Sequence, residues 1–513
     1  MSDRALYNAA DDLLNRNINV GRGEKIAFID ANGSYTYNEV ARRSNRVANV
    51  LQARGVEPEQ RVVLCMSDTI DLITAFLGAI KAGIVPIPIN TRLTKKDYYY
   101  IIDDSQASAL IVSDSLVSLF DDDLHKHPAL KTVLVSGNVT NQHEVLSEAM
   151  DAAEDTFETV PTRRDSMCFW LYTSGTTGTP KAAVHLHSSP IETADLYAVP
   201  TLEINENDVV YSAAKLFFAY GLGNALTFPM AVGATTVLLS DMPTPEAVSK
   251  IFTKHGVTLF FGVPTLYGML LASDALPYPD EHKLRLCVSA GEALPGDLLR
   301  RWRERMKIDI LDGLGSTEML HIFLTNHQGR IRPNSSGKAV SGYELRLVDD
   351  DGNAVSDGEL GHLEVAGPTS AIMYWNQRNR SRETFKGAWT RTGDKYTRDD
   401  EGYYIYGGRS DDMMKVGGIY VSPFEVEGAL LEHDAVLEAA VVAHPDQDGL
   451  TKPRAFIVLT ESHSGSDTLA EELKRLVREK LADYKYPRWI EFRNELPKTA
   501  TGKIQRFKLR DIK

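Results

Sequence analysis

The sequence predicts an α/β protein with two parallel-sheet α/β subdomains and a small β-barrel-like subdomain in a large N-terminal region, followed by an α+β C-terminal domain. At about 150 residues per domain, 513 residues make three or four compact units. Helical and strand signals alternate through the first 310 residues, and beyond residue 340 short strands surround Asp-Gly and Gly-rich turns. A 43% apolar composition supplies buried cores and excludes a disordered chain.

The first part of the chain alternates helices with buried strands. LITAFLGAIKAG predicts a helix ending at Gly83, and IVPIPIN predicts a short buried strand after it. Between residues 180 and 310, TTVLL and VTLFFG predict strands, whereas PEAVSKIFTKHG and PGDLLRRWRERM predict amphipathic helices. This order favours parallel sheets covered on both faces.

The later part of the chain predicts two smaller bodies. YELRLVDDDGNAV, GELGHLEVAG and GYYIYGGRS indicate a small antiparallel barrel or sheet over about 336–410. EAAVVAHP, KPRAFIVLT and TLAEELKRLVREKLADY indicate an α+β domain of about 100 residues. We therefore expect an N-terminal region of residues 1–410, with its α/β subdomains reaching about 335, and a C-terminal domain of residues 411–513.

Charge and cysteine usage limit the possible partners. The net charge of 56 − 70 = −14 disfavours binding to nucleic acid or an anionic membrane, so any phosphate site must be local. Cys65, Cys168 and Cys287 lack the spacing of a disulfide framework or a zinc site and indicate a reducing compartment. The opening MSDRALYNAADDLLNRN has no apolar signal region, so we expect a cytoplasmic protein.

One uncharged stretch, residues 216–240, is long enough for a membrane span. Glycines and a proline interrupt it, and lipid would leave the freed backbone groups unsatisfied. We expect instead a loop, a short helix and a strand in a soluble core.

The segment from Tyr172 to Lys181, YTSGTTGTPK, predicts a phosphate-binding loop. Its glycines let backbone N–H groups converge, its five Ser and Thr hydroxyls add donors, and Lys181 adds a mobile cation. MCFWLY before it predicts a strand, which would place the loop at a carboxyl end, where open α/β sheets bind ligands. An ordinary polar loop is the alternative. Gly175 and Lys181 do not fit a Walker loop.

This loop resembles the phosphate-binding signature of adenylate-forming enzymes, which include acyl-CoA synthetases, peptide-synthetase adenylation domains and firefly luciferase. Four more signatures follow in the order of that family: GLGSTE at 313–318, RTGD at 391–394, GRSDDMMKVGG at 408–418 and PKTATGKIQR at 497–506. The opening YNAADDLLNRNINVGRGEKIAFID, LFFAYGLGNA and GLGSTEMLHIFLTN are most similar to benzoate-CoA ligases and their hydroxy- and aminobenzoate relatives.

The resemblance implies an ATP-dependent aromatic carboxylate–CoA ligase that forms an acyl-adenylate, releases pyrophosphate and AMP, and makes the thioester. Its co-substrates would be ATP and coenzyme A, its metal Mg²⁺ and its assembly a homodimer. The alternatives are a short- or medium-chain fatty acyl-CoA synthetase, a carrier-loading adenylation domain and, in another class, a non-catalytic nucleotide-binding regulator. A decayed regulator would be expected to lack Lys503 or Glu318, and the chain has both.

The resemblance also assigns the nucleotide site. Glu318 would bind Mg²⁺, although it could be a surface acid near a helix start, and Thr317 would touch the α-phosphate. Glu292 is as compatible with a helix N-terminal acid as with a nucleotide contact. The remaining nucleotide residues are Thr173, Ser174, Gly175, Thr176, Thr177, Gly178 and Lys181 at the phosphates, Gly291, Glu292 and Asp312 along the adenine, Asp394 at the ribose hydroxyls and Arg409 at ribose or phosphate.

The C-terminal signatures imply a mobile domain. Lys503 would be the catalytic lysine that bridges the α-phosphate and the attacking carboxylate. The domain would rotate about a hinge at Asp411 between the two half-reactions. Gly417 and Gly418 would line the thiol tunnel of CoA, or form a turn between strands. Lys415 would lie near the acyl and phosphate groups, or be an exposed lysine.

For aromatic-acid relatives, the acyl pocket is a narrow apolar slot lined by Ala219, Tyr220, Gly291, Gly315 and His321. His321 is as compatible with a core residue as with a ligand contact; three residues beyond Glu318, it would share that side chain's direction on a helical turn. The chain departs from many relatives in having Leu314 for an adenine-stacking aromatic residue, Phe218 for a gating histidine and Ala182 for the glycine after Pro-Lys.

Overall fold

The computed structural model describes residues 5–120, 124–138, 143–174, 180–410, 412–416, 419–447, 449–498 and 504–510. The chain forms two compact units. The first comprises Met1–Arg332, Gly337–Glu344 and Val365–Thr390, and the second comprises Pro333–Ser336, Leu345–Glu364 and Arg391–Lys513. The predicted hinge residue Asp411 lies outside the described residues. The boundary at residue 410 stays a prediction.

Up to residue 340, helices and strands alternate as predicted. The helices are α1 (Ala9–Ile18), α2 (Tyr37–Ala53), α3 (Ile70–Lys81), α4 (Lys95–Ser105), α5 (Leu146–Asp151), α6 (Ser189–Thr193), α7 (Val199–Leu202), α8 (Ala219–Leu222), α9 (Phe228–Val232), α10 (Pro245–His255), α11 (Pro264–Ala272) and α12 (Gly296–Met306). The strands are β1 (Ile26–Ile29), β2 (Ser34–Thr36), β3 (Arg61–Cys65), β4 (Val85–Pro88), β5 (Ala109–Ser113), β6 (Thr132–Ser136), β7 (Glu144–Val145), β8 (Met167–Ser174), β9 (Pro180–Leu186), β10 (Val209–Ser212), β11 (Thr235–Val237), β12 (Leu259–Gly262), β13 (Leu286–Ala290), β14 (Ile310–Gly315), β15 (Ile322–Thr325) and β16 (Lys338–Ala339).

Two largely parallel sheets organise the first unit. Nine described strands run in the order β16-β15-β14-β13-β12-β10-β11-β1-β2, in which β1 and β10 to β14 pair in parallel and the edge strands are antiparallel. A second sheet, β4-β3-β5-β6-β7, is parallel throughout. The predicted α/β class with parallel sheets is confirmed. Helix α3 is followed by Gly83 at φ +69°, the left-handed conformation that favours glycine after a helix.

The strand before the hydroxyl-rich segment exists, but its predicted sheet context is wrong. β8 does not join a parallel sheet; it pairs antiparallel with β9, with Thr173 opposite Lys181. The two strands form a hairpin whose connection, residues 175–179, lies outside the described residues. Hairpin geometry therefore fixes the two ends of this connection next to each other, rather than at the carboxyl edge of a parallel sheet.

The uncharged stretch 216–240 contains the predicted helix and strand, but its glycines and proline do not interrupt the helical part, which is continuous from Ala219 to Val232. It forms α8, one π-helical turn at Gly223–Thr227, α9 and β11. Within the part of the chain that the structure describes, no helix is both long and apolar enough to cross a membrane.

Beyond residue 340 the described helices are α13 (Arg378–Thr384), α14 (Pro423–Leu431), α15 (Asp467–Lys480) and α16 (Arg506–Arg510). The strands are β17 (Glu344–Val348), β18 (Gly361–Ala366), β19 (Phe385–Lys386), β20 (Trp389–Arg398), β21 (Tyr404–Arg409), β22 (Met414–Val416), β23 (Ile419–Val421), β24 (Val436–Pro445), β25 (Thr451–Leu459) and β26 (Trp489–Arg493).

Most residues of the predicted sheet, and the α+β fold, belong to the second unit. β17, β18 and β20 are neighbours in one sheet, and β21 pairs antiparallel with β20. In the sheet β24-β25-β26 the last two strands are parallel, and α15 connects them along the chain. Buried aliphatic side chains of α14, α15, β24 and β25 form the core beside this sheet.

Candidate active site

Lys181, Glu318 and Tyr374 form a polar cluster in the first unit. The Tyr374 hydroxyl donates a hydrogen bond to Glu318 Oε1 at 2.5 Å and accepts one from Lys181 Nζ at 2.6 Å. Lys181 Nζ lies 3.4 Å from Glu318 Oε1, and the two side chains are 19% and 15% exposed. A cation and a carboxylate thus meet at the start of β9, where the hydroxyl-rich segment ends.

The electrostatics of this cluster favour charged partners. Burial alone would raise the pKa of Glu318, but the Lys181 ammonium and the Tyr374 hydrogen bond outweigh it and hold the pKa below its usual value. Glu318 is therefore an ionised acceptor at neutral pH. The alternative of an ordinary surface acid near a helix start is wrong, because the side chain is largely enclosed and lies in a turn.

A buried histidine supports the turn that carries Thr317 and Glu318. His185 Nε2 lies 2.8 Å from the Thr317 carbonyl oxygen, and the ring stacks on Phe169 at 5.2 Å. Burial lowers the pKa of His185 to about 4, so the ring is neutral and Nε2–H donates to the carbonyl. His185 on β9 thereby fixes the Thr317 backbone relative to the hairpin of β8 and β9.

A second anchor holds the hairpin at its other strand. The hydroxyl of Tyr172, on β8, donates to Asp104 Oδ2 at 2.7 Å. Asp104 also receives hydrogen bonds from Trp375 Nε1, at its carbonyl oxygen, and from Asn376 Nδ2 at Oδ1, at 2.9 and 3.2 Å respectively. One residue of α4 therefore ties β8 to the segment that carries Tyr374.

The adenine candidates lie on or directly after two paired parallel strands, β13 and β14. Asp312 is on β14, opposite Ser289 of β13. Gly291 directly follows β13 and has φ +96°. Asp312 is 7% exposed, and its Oδ1 has no hydrogen-bond partner among the described residues. Burial raises the pKa of Asp312 well above its usual range, although backbone hydrogen bonds oppose this shift. Glu292 is not a helix N-terminal acid, since α12 begins at Gly296 and has Asp297 in its first turn.

The structure brings Tyr220, Gly315 and His321 together. The Tyr220 hydroxyl donates to the carbonyls of Val288 and Gly262, at 3.2 and 3.3 Å. His321 Nε2 lies 3.0 Å from Asn224 Oδ1, and aromatic rings surround the imidazole at centroid distances of 4.4–5.6 Å. Burial lowers the pKa of His321 to about 3, so the imidazole is neutral. Ala219 begins α8 and is 7% exposed.

Close packing around His321 requires glycine at two positions. A Cβ at Gly315 would lie 2.7 Å from the His321 carbonyl oxygen, and a Cβ at Gly223 would lie 2.3 Å from its ring. The predicted helical turn between Glu318 and His321 is wrong: these residues form a turn between β14 and β15, with Leu320 at φ +67°. This turn, rather than a helical repeat, sets the direction of both side chains.

In the second unit, Asp394 and Arg409 are register partners on β20 and β21. Arg409 Nη1 lies 3.3 Å from Asp394 Oδ1, and Asp394 is 6% exposed. Gly393 has φ +80°, and a Cβ there would lie 2.9 Å from the Arg409 guanidinium. RTGD therefore needs its glycine to let the arginine approach the aspartate.

Several predicted residues lie outside the described part of the chain. They are Gly175, Thr176, Thr177 and Gly178 of the phosphate segment, Asp411, Gly417 and Gly418, and the catalytic candidate Lys503. The side chains of Ser174 and Lys415 are likewise not described, although both residues belong to strands, β8 and β22. Residues on either side of 499–503 are described: Lys498 and Ile504 form an antiparallel bridge, and Gln505 N donates to the Pro497 carbonyl at 2.7 Å.

Sequence reasoning missed Tyr374, His185 and Asp104. None of the three belongs to a signature that the chemistry had singled out, and each contacts the site from a distant point in the chain. The signals available were an aromatic residue next to Trp375 and a histidine in a buried strand, both of which are common in cores.

The residues present fit a magnesium ion that also binds substrate oxygens. No group of three or more His, Cys, Asp or Glu side chains suited to a metal occurs among the described residues. Mg²⁺ keeps several waters and is typically bound by one or two carboxylates and substrate phosphates, which a single ionised Glu318 satisfies.

Comparisons with known proteins identify the family of this chain. The AMP-binding enzyme model matches residues 15–375, and the model of the AMP-binding enzyme C-terminal domain matches residues 425–503. A benzoate–CoA ligase of Thauera aromatica is 56% identical over 506 residues, covering 98% of this chain and 96% of that protein.

Solved structures of CoA ligases are also similar to this chain. A benzoate CoA ligase from Burkholderia xenovorans LB400 matches with a TM-score of 0.93 and 49% identity, over 99% of this chain and 100% of the other. An anthranilate CoA ligase in complex with anthranoyl-AMP matches with a TM-score of 0.93 and 42% identity, over 98% and 96% of the two chains. The chain therefore belongs to the AMP-binding enzyme family, the adenylate-forming enzymes.

Proposed function

We propose that this protein is an ATP-dependent CoA ligase for benzoate or a substituted benzoate. The observation that carries the proposal is the cluster of Lys181, Tyr374 and Glu318 at the end of the hydroxyl-rich hairpin. It combines a cation for phosphate oxygens with an ionised carboxylate for a metal. The similarity to benzoate and anthranilate CoA ligases supports the aromatic substrate.

The first half-reaction converts the carboxylate into a mixed anhydride. A carboxylate oxygen of the acid attacks the α-phosphorus of ATP, the bond to the bridging oxygen breaks, and pyrophosphate leaves with the electron pair. No protein nucleophile is needed, so the chain contributes positioning and charge neutralisation. Lys181 would stabilise the charge on the departing pyrophosphate, and Lys503 would neutralise the charge shared by the carboxylate and the α-phosphate.

Other residues would orient the nucleotide. Asp394 would accept hydrogen bonds from the ribose hydroxyls, and the unpartnered Asp312 Oδ1 would accept one from the adenine amino group. Glu318 would hold Mg²⁺, which supplies charge neutralisation for the triphosphate when bound. Thr317 would contact the α-phosphate from a backbone that His185 holds in place.

The second half-reaction forms the thioester. The CoA sulfur attacks the acyl carbon, the bond to the AMP oxygen breaks, and the thiol proton is lost to solvent. In this step we assign Gly417 and Gly418 to the thiol approach and Asp411 to the hinge, as the family resemblance implies. Ala219, Tyr220, Gly291, Gly315 and His321 would shape the acyl slot, with Lys415 near its carboxylate end.

The proposal is tested with a panel of acids. Purified protein with ATP, MgCl₂ and CoA should release AMP and pyrophosphate with benzoate, hydroxybenzoates and aminobenzoates, and much less with hexanoate or decanoate. Higher kcat/KM for decanoate would favour the fatty acyl-CoA synthetase, and ADP formation, or no acid-dependent ATP use, would refute the ligase.

We also propose a cytoplasmic location and a homodimer. The three cysteines, all buried and free, support a reducing compartment. Light scattering coupled to size-exclusion chromatography measures the mass directly: about twice the 56.9 kDa chain mass is expected, and the mass of one chain would refute the dimer.

A further inference from the structure

Residues 371–375 form a strap that is hydrogen-bonded both to β9, which carries Lys181, and to the turn that carries Glu318. Ala371 N donates to the Glu318 carbonyl oxygen at 2.7 Å. Ile372 N and Trp375 N donate to carbonyl oxygens of β9, at 3.0 and 2.9 Å. The strap is therefore fixed by its backbone to the strand that carries Lys181 and to the turn that carries Glu318.

The hydroxyl of Tyr374, in this strap, contacts both charged groups, and the Lys181 ammonium also lies 3.9 Å from the centre of the Tyr374 ring. Its hydroxyl has one proton, which it donates to Glu318, and its oxygen accepts a proton from Lys181. The ammonium and the carboxylate remain 3.4 Å apart, outside the shorter range typical of a direct charge-assisted hydrogen bond. The ring is 2% exposed and packs against Phe385, so the hydroxyl has little freedom to move away.

We propose that Tyr374 is a positioning residue for nucleotide binding, whose hydroxyl holds Lys181 and Glu318 apart in the arrangement that receives the triphosphate and its cation. Without it, the ammonium and the carboxylate would close into a direct ion pair. ATP and its metal would then have to separate the ammonium from the carboxylate before Lys181 could bind a phosphate and Glu318 could bind the metal. The inference rests on the proposed function, because it assumes that these two groups bind ATP and its metal.

Tyr374→Phe isolates the hydroxyl, since the buried ring is retained. We expect the dissociation constant of α,β-methylene-ATP, measured by calorimetry with MgCl₂ and without acid or CoA, to rise about tenfold, which corresponds to about 1.4 kcal/mol. Tyr37→Phe is the matched control: Tyr37 is equally buried, and its hydroxyl donates to the Ala234 carbonyl at 2.7 Å, away from the cluster. This control should stay within about twofold of wild type, because it loses a hydrogen bond of ordinary strength outside the site.

A double-mutant cycle shows whether the hydroxyl acts through Lys181. In a Lys181→Met background no ammonium remains to close on Glu318, so adding Tyr374→Phe should change the dissociation constant by less than about twofold. If Tyr374→Phe does not fold, Tyr374→His replaces it in the same cycle. Its ring nitrogens can accept from the ammonium and donate to the carboxylate, and the binding lost should be smaller.

Two results would overturn the inference. One is unchanged analogue binding by Tyr374→Phe. The other is a tenfold loss that persists in the Lys181→Met background, which would mean that the hydroxyl acts through the fold. Failure of the proposed function would appear separately, as wild-type protein that binds the analogue but forms no benzoyl-CoA.

Discussion

Replacing Arg506 with methionine should destabilise the second unit severely. The Arg506 guanidinium bonds to Glu427 through Nη2–Oε2 at 2.8 Å, Nη2–Oε1 at 3.0 Å and Nε–Oε1 at 3.2 Å. The two side chains are 10% and 6% exposed, and the guanidinium also lies 4.2 Å from the centre of the Phe424 ring. This pair connects α16, three residues beyond Lys503, to α14.

The magnitude follows from what methionine leaves behind. Glu427 would keep the hydrogen bond from Val441 N, at 2.7 Å, but lose its positive partner while still enclosed. Removing one partner of a buried ion pair costs about 3–5 kcal/mol, because the remaining charge is uncompensated. Glu427→Gln combined with Arg506→Met removes that charge and retains an oxygen for Val441. The double variant should therefore be more stable than Arg506→Met alone.

Hydrogen exchange is the suitable assay, because a chain with two compact units need not unfold in one step. Opening free energies of peptides from α14 and β24 should fall by about 3–5 kcal/mol in Arg506→Met and recover by about 1–3 kcal/mol in the double variant. Peptides from α2 and α3, in the first unit, serve as the internal control. A loss below about 1 kcal/mol, or strictly additive single and double variants, would refute the reasoning.

Three other experiments test the catalytic, phosphate and acyl assignments. Lys503→Ala should nearly abolish acid-dependent pyrophosphate exchange yet spare thioester formation from premade benzoyl-AMP; equal losses in the two assays would contradict its role in the first step. Tyr172→Phe removes the 2.7 Å bond to Asp104 and should raise the KM for ATP about threefold to tenfold at constant benzoate KM; Asp104→Asn keeps an acceptor and should do less. Ala219→Val should reorder kcat/KM among substituted benzoates at constant ATP KM, and an unchanged order would remove Ala219 from the pocket.

Local signals predicted individual elements well. The helix before Gly83 and the buried strand after it were both predicted, because periodicity, apolar content and a left-handed glycine act within a few residues. The family and the fold class were also predicted, since five signatures in order identify them, and the comparisons confirm both.

The pairing of strands and the direction of side chains were predicted less well. β8 was expected to belong to an open α/β sheet and to carry the loop at its carboxyl end, but it pairs antiparallel with β9. Strand signals do not specify which strand pairs with which. The direction of His321 was inferred from a helical repeat, but Leu320 adopts a left-handed conformation that a leucine seldom takes. Tertiary packing selects such a conformation, because Leu320 is buried in a hydrophobic core cluster of the first unit.

Tyr374 belongs to the cluster of Lys181 and Glu318, but no sequence motif identifies it. It is 56 residues from Glu318 and 193 from Lys181, so no local spacing connects them. A buried tyrosine hydroxyl usually binds a backbone carbonyl, as those of Tyr37 and Tyr267 do here. Once Lys181 and Glu318 are known to lie close together, chemistry limits which side chain can lie between them. It must accept a hydrogen bond from the ammonium and donate one to the carboxylate while it is itself neutral. A phenol does both at neutral pH, whereas a second lysine or glutamate would repel one of the two. A hydroxyl within hydrogen-bonding distance of both the ammonium and the carboxylate is therefore the group to expect between two such charges.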